Sequence, residues 1–421
     1  MTTSKETSGG EKPQDLIARL ERELTDLWKP PTNPTELPMS RVCMMNLEVI
    51  AESADVLDHY MSVVDAVTAA IPSRAIVASV EPNAPDDPDN ELEGSATAIC
   101  SVEGQRKICG ERITLSAKGP GCARLASAIL SLRIAEIPTV LVWLGHVHLG
   151  NPIFEDLAQS ADRIIIDSEF TSLASLVHLA SWARKRRERG ERDARGPNVA
   201  DLAWTRLAPW QEFLARFFDN GAHDAHAGLA MKITKLELVQ ASEPGEDLGP
   251  EPALLLGWLA TRLGWKISPP VGAPFMAPDQ GAMNRAPTIN QTQFVGAYGH
   301  TPLLERPDGV PVVLALRSVA RPSGVAPKAL AALAIEAQSD NQKASYRIVR
   351  ELASGMEGNT PDNDMVSWRK EITGAAPVEQ RFRLGSNKAA KWLERTLHRR
   401  SHDPAFDESV EFAEHLIGIS P

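Results

Sequence analysis

The chain has 421 residues, about the length of two domains, and its 43% hydrophobic and 24% charged residues are typical of globular proteins. A formal net charge of −11 argues against a general nucleic-acid-binding protein, because such proteins need a basic face to displace counterions from phosphate. No apolar run approaches the roughly eighteen residues of a membrane-spanning helix, and the start lacks the apolar segment of a secretory signal, so we expect a cytoplasmic protein without a membrane partner.

The first 38 residues predict a short appendage before the folded body of the protein. Residues 1–13 are polar and rich in Gly, Ser and Lys, so we expect them to be disordered. An amphipathic helix follows, and residues 29–38 contain four prolines, which predicts a semi-rigid linker. The apolar stripe of the helix, which must dock on another element, consists of Leu16, Ile17, Leu20, Leu24, Leu27 and Trp28.

Residues 39–195 are predicted to form an N-terminal α/β domain. Continuous apolar strands between helices indicate a largely parallel sheet that helices cover on both faces. The basic stretch 183–196 predicts the end of a solvated helix that runs into a linker, with nucleic-acid binding by residues 184–195 as the least favoured alternative. The predicted strands are 42–50, 74–81, 95–102, 107–118, 137–144 and 161–168, and the helices are 54–71, 119–134 and a short one near 154–160.

Residues 196–421 are predicted to form a second, C-terminal α/β domain. Residues 268–287 are rich in Pro and Gly and predict a loop, and residues 388–419 are helical in pattern with an interruption near SHDP. The fold class is therefore α/β, with two α/β domains preceded by an N-terminal helix. Further predicted helices are 201–219 and 251–265, and the predicted strands are 231–239, 289–298, 310–319, 329–337 and 344–351.

Two histidines, His146 and His148, follow the apolar strand VLVWL and are spaced like the start of a metal site. A zinc site needs three or four ligands, however, and no Cys/His cluster or H-E-x-x-H motif supplies the others. We interpret the two side chains as loop residues at a strand end and predict no metal.

The segment AKGPGCAR resembles a dinucleotide-binding turn, because Gly119 and Gly121 open a predicted helix directly after a strand. With Arg124 they form a candidate anion site, since the N-terminus of a helix binds phosphate through free backbone N–H groups. Arg124 replaces the third glycine, however, and Pro120 lies inside the motif. A tight strand-to-helix turn is the simpler interpretation, and a phosphate- or nucleotide-binding enzyme remains the alternative function.

The predicted hairpin around Gly104-Gln105 places two of the four cysteines opposite each other. Cross-strand partners have numbers that sum to 209, so Cys100 faces Cys109. The pair could respond to redox conditions, but two reduced thiols are the default in the cytosol.

Six segments recur in this order in one known family: PSRAIVAS (72–79), GERITLSAKGPGCARLASAIL (110–130), IPTVLVWLG (137–145), ADRIIIDS (161–168), DLAWTRLAPWQEFLARFFD (201–219) and LLLGWLATRLGW (254–265). The chain resembles the glucose-6-phosphate dehydrogenase assembly proteins, the OpcA family, over roughly residues 40–420. The resemblance implies a non-catalytic protein without a cofactor, which binds glucose-6-phosphate dehydrogenase, promotes its active oligomer and raises its activity as an allosteric activator. It also implies a role in the oxidative pentose phosphate pathway and, by analogy with cyanobacterial members, a link to redox state.

The resemblance gives a set of candidate partner contacts. Trp and Arg are over-represented at binding hot spots, which favours the Trp and Arg positions among those that match the family, although a Trp on an apolar helix face is more often core. Asp201 and Gly257 match the family as well. The candidate contacts are Ser73, Arg74, Trp143, Trp204, Arg206, Trp258 and Arg262.

Overall fold

The structure is a computed structural model, and it describes residues 13–29, 37–84, 92–189, 197–218, 227–243, 246–268, 303–321, 325–351, 365–383, 389–399 and 402–417. The described residues divide into two compact units. The first takes those within Met1–Thr171, Ser181–Leu202 and Ala389–His402, and the second takes those within Ser172–Ala180, Ala203–Lys388 and Asp403–Pro421. The predicted disordered start and most of the predicted linker lie outside the described residues.

Eight strands of the first unit form one sheet, and only β4 runs antiparallel to its neighbour. Both β2 and the strand that pairs with it, β6, are buried along their whole length, as expected for a sheet covered on both faces. The predicted largely parallel sheet is confirmed. Its strands are β1 (Met39–Arg41), β2 (Asn46–Ala51), β3 (Arg74–Glu81), β4 (Leu92–Glu103), β5 (Arg106–Lys118), β6 (Thr139–Leu144), β7 (Arg163–Ile166) and β8 (Asn198–Asp201).

The parallel strands follow the order of a dinucleotide-binding fold. Across the sheet they lie as β5-β3-β2-β6-β7-β8. When the three-residue edge strand β1, which pairs in parallel with β5, is left aside, these are in chain order the third, second, first, fourth, fifth and sixth parallel strands of a doubly wound sheet. The strand order reverses between β2 and β6, and a crevice at the carboxyl ends of these two strands is where such folds bind ligands.

The helices of both units have the following bounds: α1 (Pro13–Leu27), α2 (Ala54–Ala70), α3 (Cys122–Leu132), α4 (Pro152–Gln159), α5 (Leu173–Glu188), α6 (Leu202–Arg206), α7 (Ala208–Phe218), α8 (Pro250–Leu263), α9 (Ala389–His398) and α10 (Pro404–Leu416). Short 3₁₀ helices span Gly119–Gly121 and Ala227–Lys232. None of the described helices is long and apolar enough to cross a bilayer.

The N-terminal helix docks on the first sheet through the stripe that the sequence predicts. Leu16, Leu20 and Leu24 are buried, and Gly94 of β4 leaves room for Leu20, since a Cβ there would lie 3.2 Å from the Leu20 side chain. Arg19 donates to the Gly94 carbonyl at 3.1 Å. The helix is therefore part of the first unit's core.

Eight strands of the second unit form a mixed sheet in the order β10-β11-β12-β9-β13-β14-β15-β16. Only β9 and β12 pair in parallel, and the other neighbours are antiparallel. The second α/β domain is thereby confirmed. Its strands are β9 (Ile233–Ala241), β10 (Lys266–Ser268), β11 (Leu303–Glu305), β12 (Pro311–Val319), β13 (Leu330–Gln338), β14 (Lys343–Glu351), β15 (Met365–Ile372) and β16 (Val378–Arg383).

The predicted helix 201–219 is wrong at its start. Residues up to Asp201 form β8, which pairs with β7, and the helix is divided at Leu207 into α6 and α7. Pro209 has no N–H group and favours the first turn of a new helix, which explains the division. The sequence also missed β10, β11, β15 and β16, and the predicted strand 289–298 lies outside the described residues.

The unit boundary also differs from the predicted one at residues 195 and 196. Because β8 belongs to the first sheet, the first unit continues through Leu202. Helix α9 returns to the same unit, where Leu393 and Leu397 pack in a core that includes Val64 of α2. Such a contact joins residues far apart in the chain, so no local pattern predicts it.

Candidate functional site

The crevice between β2 and β6 holds a carboxylate of the protein itself. Glu52 follows β2 directly, and its Oε2 accepts a hydrogen bond from the His146 backbone N–H at 2.9 Å. A Cβ at Gly145 would lie 2.4 Å from the Glu52 side chain, so glycine at this position leaves space for the carboxylate where it lies. The sequence analysis missed both residues. A Glu directly after the first parallel strand, where a dinucleotide fold has glycine, was the available signal.

A second carboxylate lies at the same edge of the sheet. Glu81 ends β3, and its Oε1 accepts from the Ala54 backbone N–H at 3.2 Å, in the first turn of α2. A dinucleotide fold holds the pyrophosphate at this helix N-terminus. The Glu52 and Glu81 carboxylates beside that position disfavour a phosphate there, although an acid at the end of the second strand is also where such a fold binds the ribose of its cofactor.

The glycines of the candidate anion site follow β5, the third parallel strand, and not the first. Gly119 has a φ of +47°, a conformation that glycine readily adopts, and the 3₁₀ turn leads into α3. Arg124 is exposed. Burial raises the pKa of the neighbouring Cys122 thiol, and the Glu81 carboxylate raises it further. The same carboxylate therefore acts against an anion at this helix start as well.

The two histidines are exposed residues beyond the end of β6, as predicted. Nδ1 of His148 accepts from the Gly150 backbone N–H at 3.1 Å, which makes it part of the loop's own structure. Within the part of the chain that the structure describes, no group of three or more His, Cys, Asp or Glu side chains could hold a metal ion.

Three of the candidate partner contacts are internal to the first unit. Ser73 is buried, and the Arg74 Nε donates to Glu111 Oε2 at 2.7 Å. Trp143 is 1% exposed and packs edge-on against Phe154 with ring centroids 5.1 Å apart. Ser73 and Trp143 are therefore enclosed in the fold, and the Arg74 side chain, which is 12% exposed, is held by Glu111.

Two further candidates are internal to the second unit. Trp204 is buried, and its Nε1 donates to Asp403 Oδ2 at 3.0 Å. The Arg206 Nε donates to Glu251 Oε1 at 3.1 Å, and the other oxygen of Glu251 accepts from the Leu330 backbone N–H. Residue type alone therefore made these two positions candidates for partner contact. In the structure Trp204 packs inside the unit, and Arg206 binds the Glu251 carboxylate that also holds the start of β13.

The remaining two candidates lie at the surface where α8 and α10 cross. The helices approach closely because position 257 is glycine, where a Cβ would lie 2.4 Å from the Ser409 carbonyl oxygen. Beside the crossing, Trp258 is half-buried, and Arg262 forms an ion pair with Glu408 at 2.5 Å, with both side chains 47% exposed. We call Trp258, Arg262 and Glu408 the helix-pair surface. Sequence reasoning missed Glu408, which only the fold brings next to Arg262.

The hairpin of β4 and β5 has the predicted register, with Cys100 opposite Cys109. The structure joins them in a disulfide, with the Cα atoms 4.0 Å apart, whereas the sequence favoured two reduced thiols. Cys109 is buried and Cys100 is exposed. Burial raises the pKa of the Cys43 thiol and the nearby Glu111 carboxylate adds to this rise, so the thiolate of Cys43 is disfavoured.

Comparisons with known proteins give three results. The chain matches two family models of a glucose-6-phosphate dehydrogenase subunit, one describing its C-terminal domain over residues 197–410 and one describing its N-terminal domain over residues 64–181. A "Putative OxPP cycle protein OpcA" of Synechocystis is 30% identical over 48% of this chain and 39% of its own length. One of that name from Nostoc punctiforme is 32% identical over 42% of this chain and 36% of its own length. The matched region thus spans less than two fifths of the length of each of these relatives.

Among solved structures, a putative oxidoreductase of Bacillus subtilis has a TM-score of 0.44 at 8% identity, covering 89% of this chain and 96% of its own. The glucose-6-phosphate 1-dehydrogenase of Mycobacterium avium has a TM-score of 0.44 at 14% identity, covering 90% and 91% of the two chains. Likenesses at this level carry no argument about function. The family models, in contrast, match both domains, and the C-terminal model alone matches half of the chain. This chain therefore belongs to the OpcA family of glucose-6-phosphate dehydrogenase subunits.

Proposed function

We propose that this chain is a non-catalytic cytoplasmic subunit that binds glucose-6-phosphate dehydrogenase, promotes its active oligomer and acts in the oxidative pentose phosphate pathway. The observation that carries the proposal is the match of both domains to models of a glucose-6-phosphate dehydrogenase subunit. The names of the cyanobacterial relatives, which refer to the OxPP cycle, support the pathway.

The crevice supports a non-catalytic role. In a sheet of this strand order, a nucleotide-dependent enzyme binds its cofactor where the order reverses. Here the exposed Glu52 side chain lies beside that space, and Glu81 lies at the neighbouring helix start. A catalyst that used the crevice would have to displace one carboxylate and overcome the field of another.

Activation by a non-catalytic partner follows from linkage. A protein that binds the active oligomer more tightly than the inactive form shifts the population toward the active form. A hundredfold difference in affinity supplies about 2.7 kcal/mol, enough to bring an equilibrium that disfavours the active form by the same factor to equal populations. No chemistry by this chain is required.

The helix-pair surface is our candidate for the contact. Trp258 and Arg262 are of the residue types that most often dominate binding energies, and both are accessible. The Arg262–Glu408 ion pair holds the Arg262 guanidinium at the solvent-exposed edge of the helix-pair surface, where its charge can orient a partner. Ser73, Arg74, Trp143, Trp204 and Arg206 would then affect binding only through the stability of their units.

The disulfide is our candidate for redox control. Cys100 is exposed, so a dithiol reductant can attack the bond and leave as its own disulfide, while Cys100 and Cys109 become thiols. The N-terminal helix α1 docks on the same hairpin. The backbone N–H of Ala96 in β4 donates a hydrogen bond to the Glu23 side chain of α1 at 3.1 Å. Reduction would therefore loosen the strand on which the N-terminal helix docks.

The direct test mixes the purified chain with glucose-6-phosphate dehydrogenase from the same organism. Light scattering follows the mass of the complex, and initial rates follow the activity. We expect the dehydrogenase mass to increase and its rate to rise in a saturable manner with the concentration of this chain. If neither the mass nor the rate changes, the proposed function is wrong.

A further inference from the structure

The second sheet presents one face to solvent. Its side chains alternate, so that Leu333, Tyr346 and Ile348 are buried on one face. On the other face the side chains of Glu336 and Arg369 are 58% and 52% exposed. We call this second face the open face. An exposed sheet of this breadth is a surface on which another protein can pack.

Two adjacent rows of opposite charge run across the strands of the open face. On β13, β14 and β15 the basic row consists of Ala334, Arg347 and Arg369, and it is flanked by Glu237 on β9 and Glu379 on β16. On the same three strands the acidic row consists of Glu336, Ser345 and Glu371, and it is flanked by Lys235 on β9, which forms an ion pair with Glu336 at 3.0 Å. The rows are neighbours because each strand contributes residues two positions apart, about 6.8 Å along the strand.

The basic row is unfavourable within a single chain. Arg347 and Arg369 lie directly opposite each other on neighbouring strands, and like charges at this position destabilise a sheet. Arg369 forms an ion pair with Glu371 at 2.5 Å, but Arg347 is exposed and forms no ion pair with any residue in the described parts of the chain. An acidic group from outside would relieve this arrangement.

We propose that the open face binds the open face of a second copy of this chain, in a two-fold symmetric dimer. A two-fold axis parallel to the sheet and perpendicular to its strands, placed between the rows, sets the acidic row of each copy over the basic row of the other. Glu371 then lies over Arg369 of the second copy, and Glu336 lies diagonally next to Arg347. The charge pattern is thus self-complementary.

The shape and size of the open face suit such a dimer. Ala334 on β13 and Ala315 on β12 are small side chains on this face, one on each side of Glu237 of β9, and they favour the approach of two sheets to about 10 Å. The open face has six strands, in the order β12-β9-β13-β14-β15-β16. With strands about 4.8 Å apart and roughly 20 Å long, the face has an area on the order of 600 Å². Protruding side chains make the accessible surface larger than this flat area, which brings it close to the ~800 Å² that each partner buries in a stable interface.

The test compares charge variants of the full chain by sedimentation equilibrium, without the dehydrogenase. We expect the parent to have twice the mass of one chain, and Arg347→Glu to raise the dimer dissociation constant at least about thirtyfold. The double variant Arg347→Glu, Glu336→Arg restores complementarity and should recover the dimer. Arg395→Glu, at an exposed position of α9, makes the same change in charge and should leave the dimer intact. Melting temperatures show that each variant is folded.

Three results would overturn the dimer. One is a parent that stays monomeric at every concentration, and another is a dimer that Arg347→Glu leaves unchanged. The third is a monomeric parent that loses the dehydrogenase complex on Arg347→Glu, which would assign the open face to that enzyme. Because the dimer is measured without the dehydrogenase, the proposal can fail while the proposed function stands, and the reverse is also possible.

Discussion

The two sheets of this protein differ in where their polar side chains lie. In the first sheet, charged groups are concentrated inside or at the strand ends, where Glu111 is fully buried between Arg41 and Arg74 and Glu52 lies exposed beside the crevice. In the second sheet, charged groups cover an exposed face. The buried charges of the first sheet therefore contribute to the stability of the fold, whereas those of the second sheet are solvated and contribute little to it.

The largest effect should come from the buried charge of the first sheet. Replacing Glu111 with Ala removes the carboxylate that binds Arg74 and accepts from Trp28 Nε1 at 2.8 Å. Since Arg74 is 12% exposed, its charge is left largely uncompensated, and we expect the unfolding free energy to fall by about 3–5 kcal/mol. Chemical denaturation measures this loss. Glu336→Ala on the open face is the control, with a change within about 0.5 kcal/mol. If Glu111→Ala and Glu336→Ala lose the same unfolding free energy, the proposed difference between buried charges in the first sheet and exposed charges in the second is wrong.

The disulfide should have the next largest effect on stability. Its loop is short, with a sequence separation of nine, so breaking it should cost about 2–3 kcal/mol of unfolding free energy. Denaturation of the parent with and without a reductant measures the cost. A Cys100→Ser, Cys109→Ser variant should match the reduced parent and ignore the reductant. Redox control by this pair is ruled out if the variant and the oxidised parent activate the dehydrogenase equally under all conditions.

A smaller effect on binding should come from Trp258. Replacing it with Ala should weaken the dehydrogenase complex by about 2 kcal/mol, roughly thirtyfold. Because the side chain is half-buried, the variant should also lose some stability, so its melting temperature is measured beside its affinity. Titration calorimetry measures the affinity. The matched control is Trp182→Ala on α5, a half-buried Trp with an Arg four residues later, Arg186, whose guanidinium lies 5.2 Å from its ring. The helix-pair surface is not the contact if both variants bind alike.

The smallest expected effect is none at all. Neither NADP nor glucose 6-phosphate should shift the melting temperature of this chain alone, because Glu52 and Glu81 disfavour an anion in the crevice. A ligand present at a hundred times its dissociation constant would add about 2.7 kcal/mol, a shift of several degrees. Such a shift, lost in Arg124→Glu, would restore the enzyme alternative at Gly119 and Gly121.

Local patterns predicted the parts of the fold that local forces determine. The register of the β4–β5 hairpin followed from its turn, and the docking stripe of α1 followed from its helical period. The four-residue strand β8 was missed because it is short and flows directly into α6. Helix α9 packs against residues more than three hundred positions away, which periodicity does not encode.

The candidate site was less predictable than the fold. Residue type could not separate Trp258, which is half exposed, from Trp204, which is buried, since both lie in apolar helical segments. Glu52 and Gly145 come into contact because they follow β2 and β6, two strands that pair in the sheet although they are far apart in the chain. Arg347 and Arg369 likewise become a pair only through strand register. Contacts across strands, more than residue types, define these surfaces.

The most direct test of the account is the initial rate of glucose-6-phosphate dehydrogenase with three forms of this chain. We expect the parent and a crevice variant, Glu52→Gln, to raise the rate equally, because the crevice takes no part in the proposed activation. A Trp258→Ala, Arg262→Glu variant of the helix-pair surface should require at least about thirtyfold more protein for the same rate. A rate that responds to the crevice variant but not to the surface variant, or that does not respond to the parent, would contradict it.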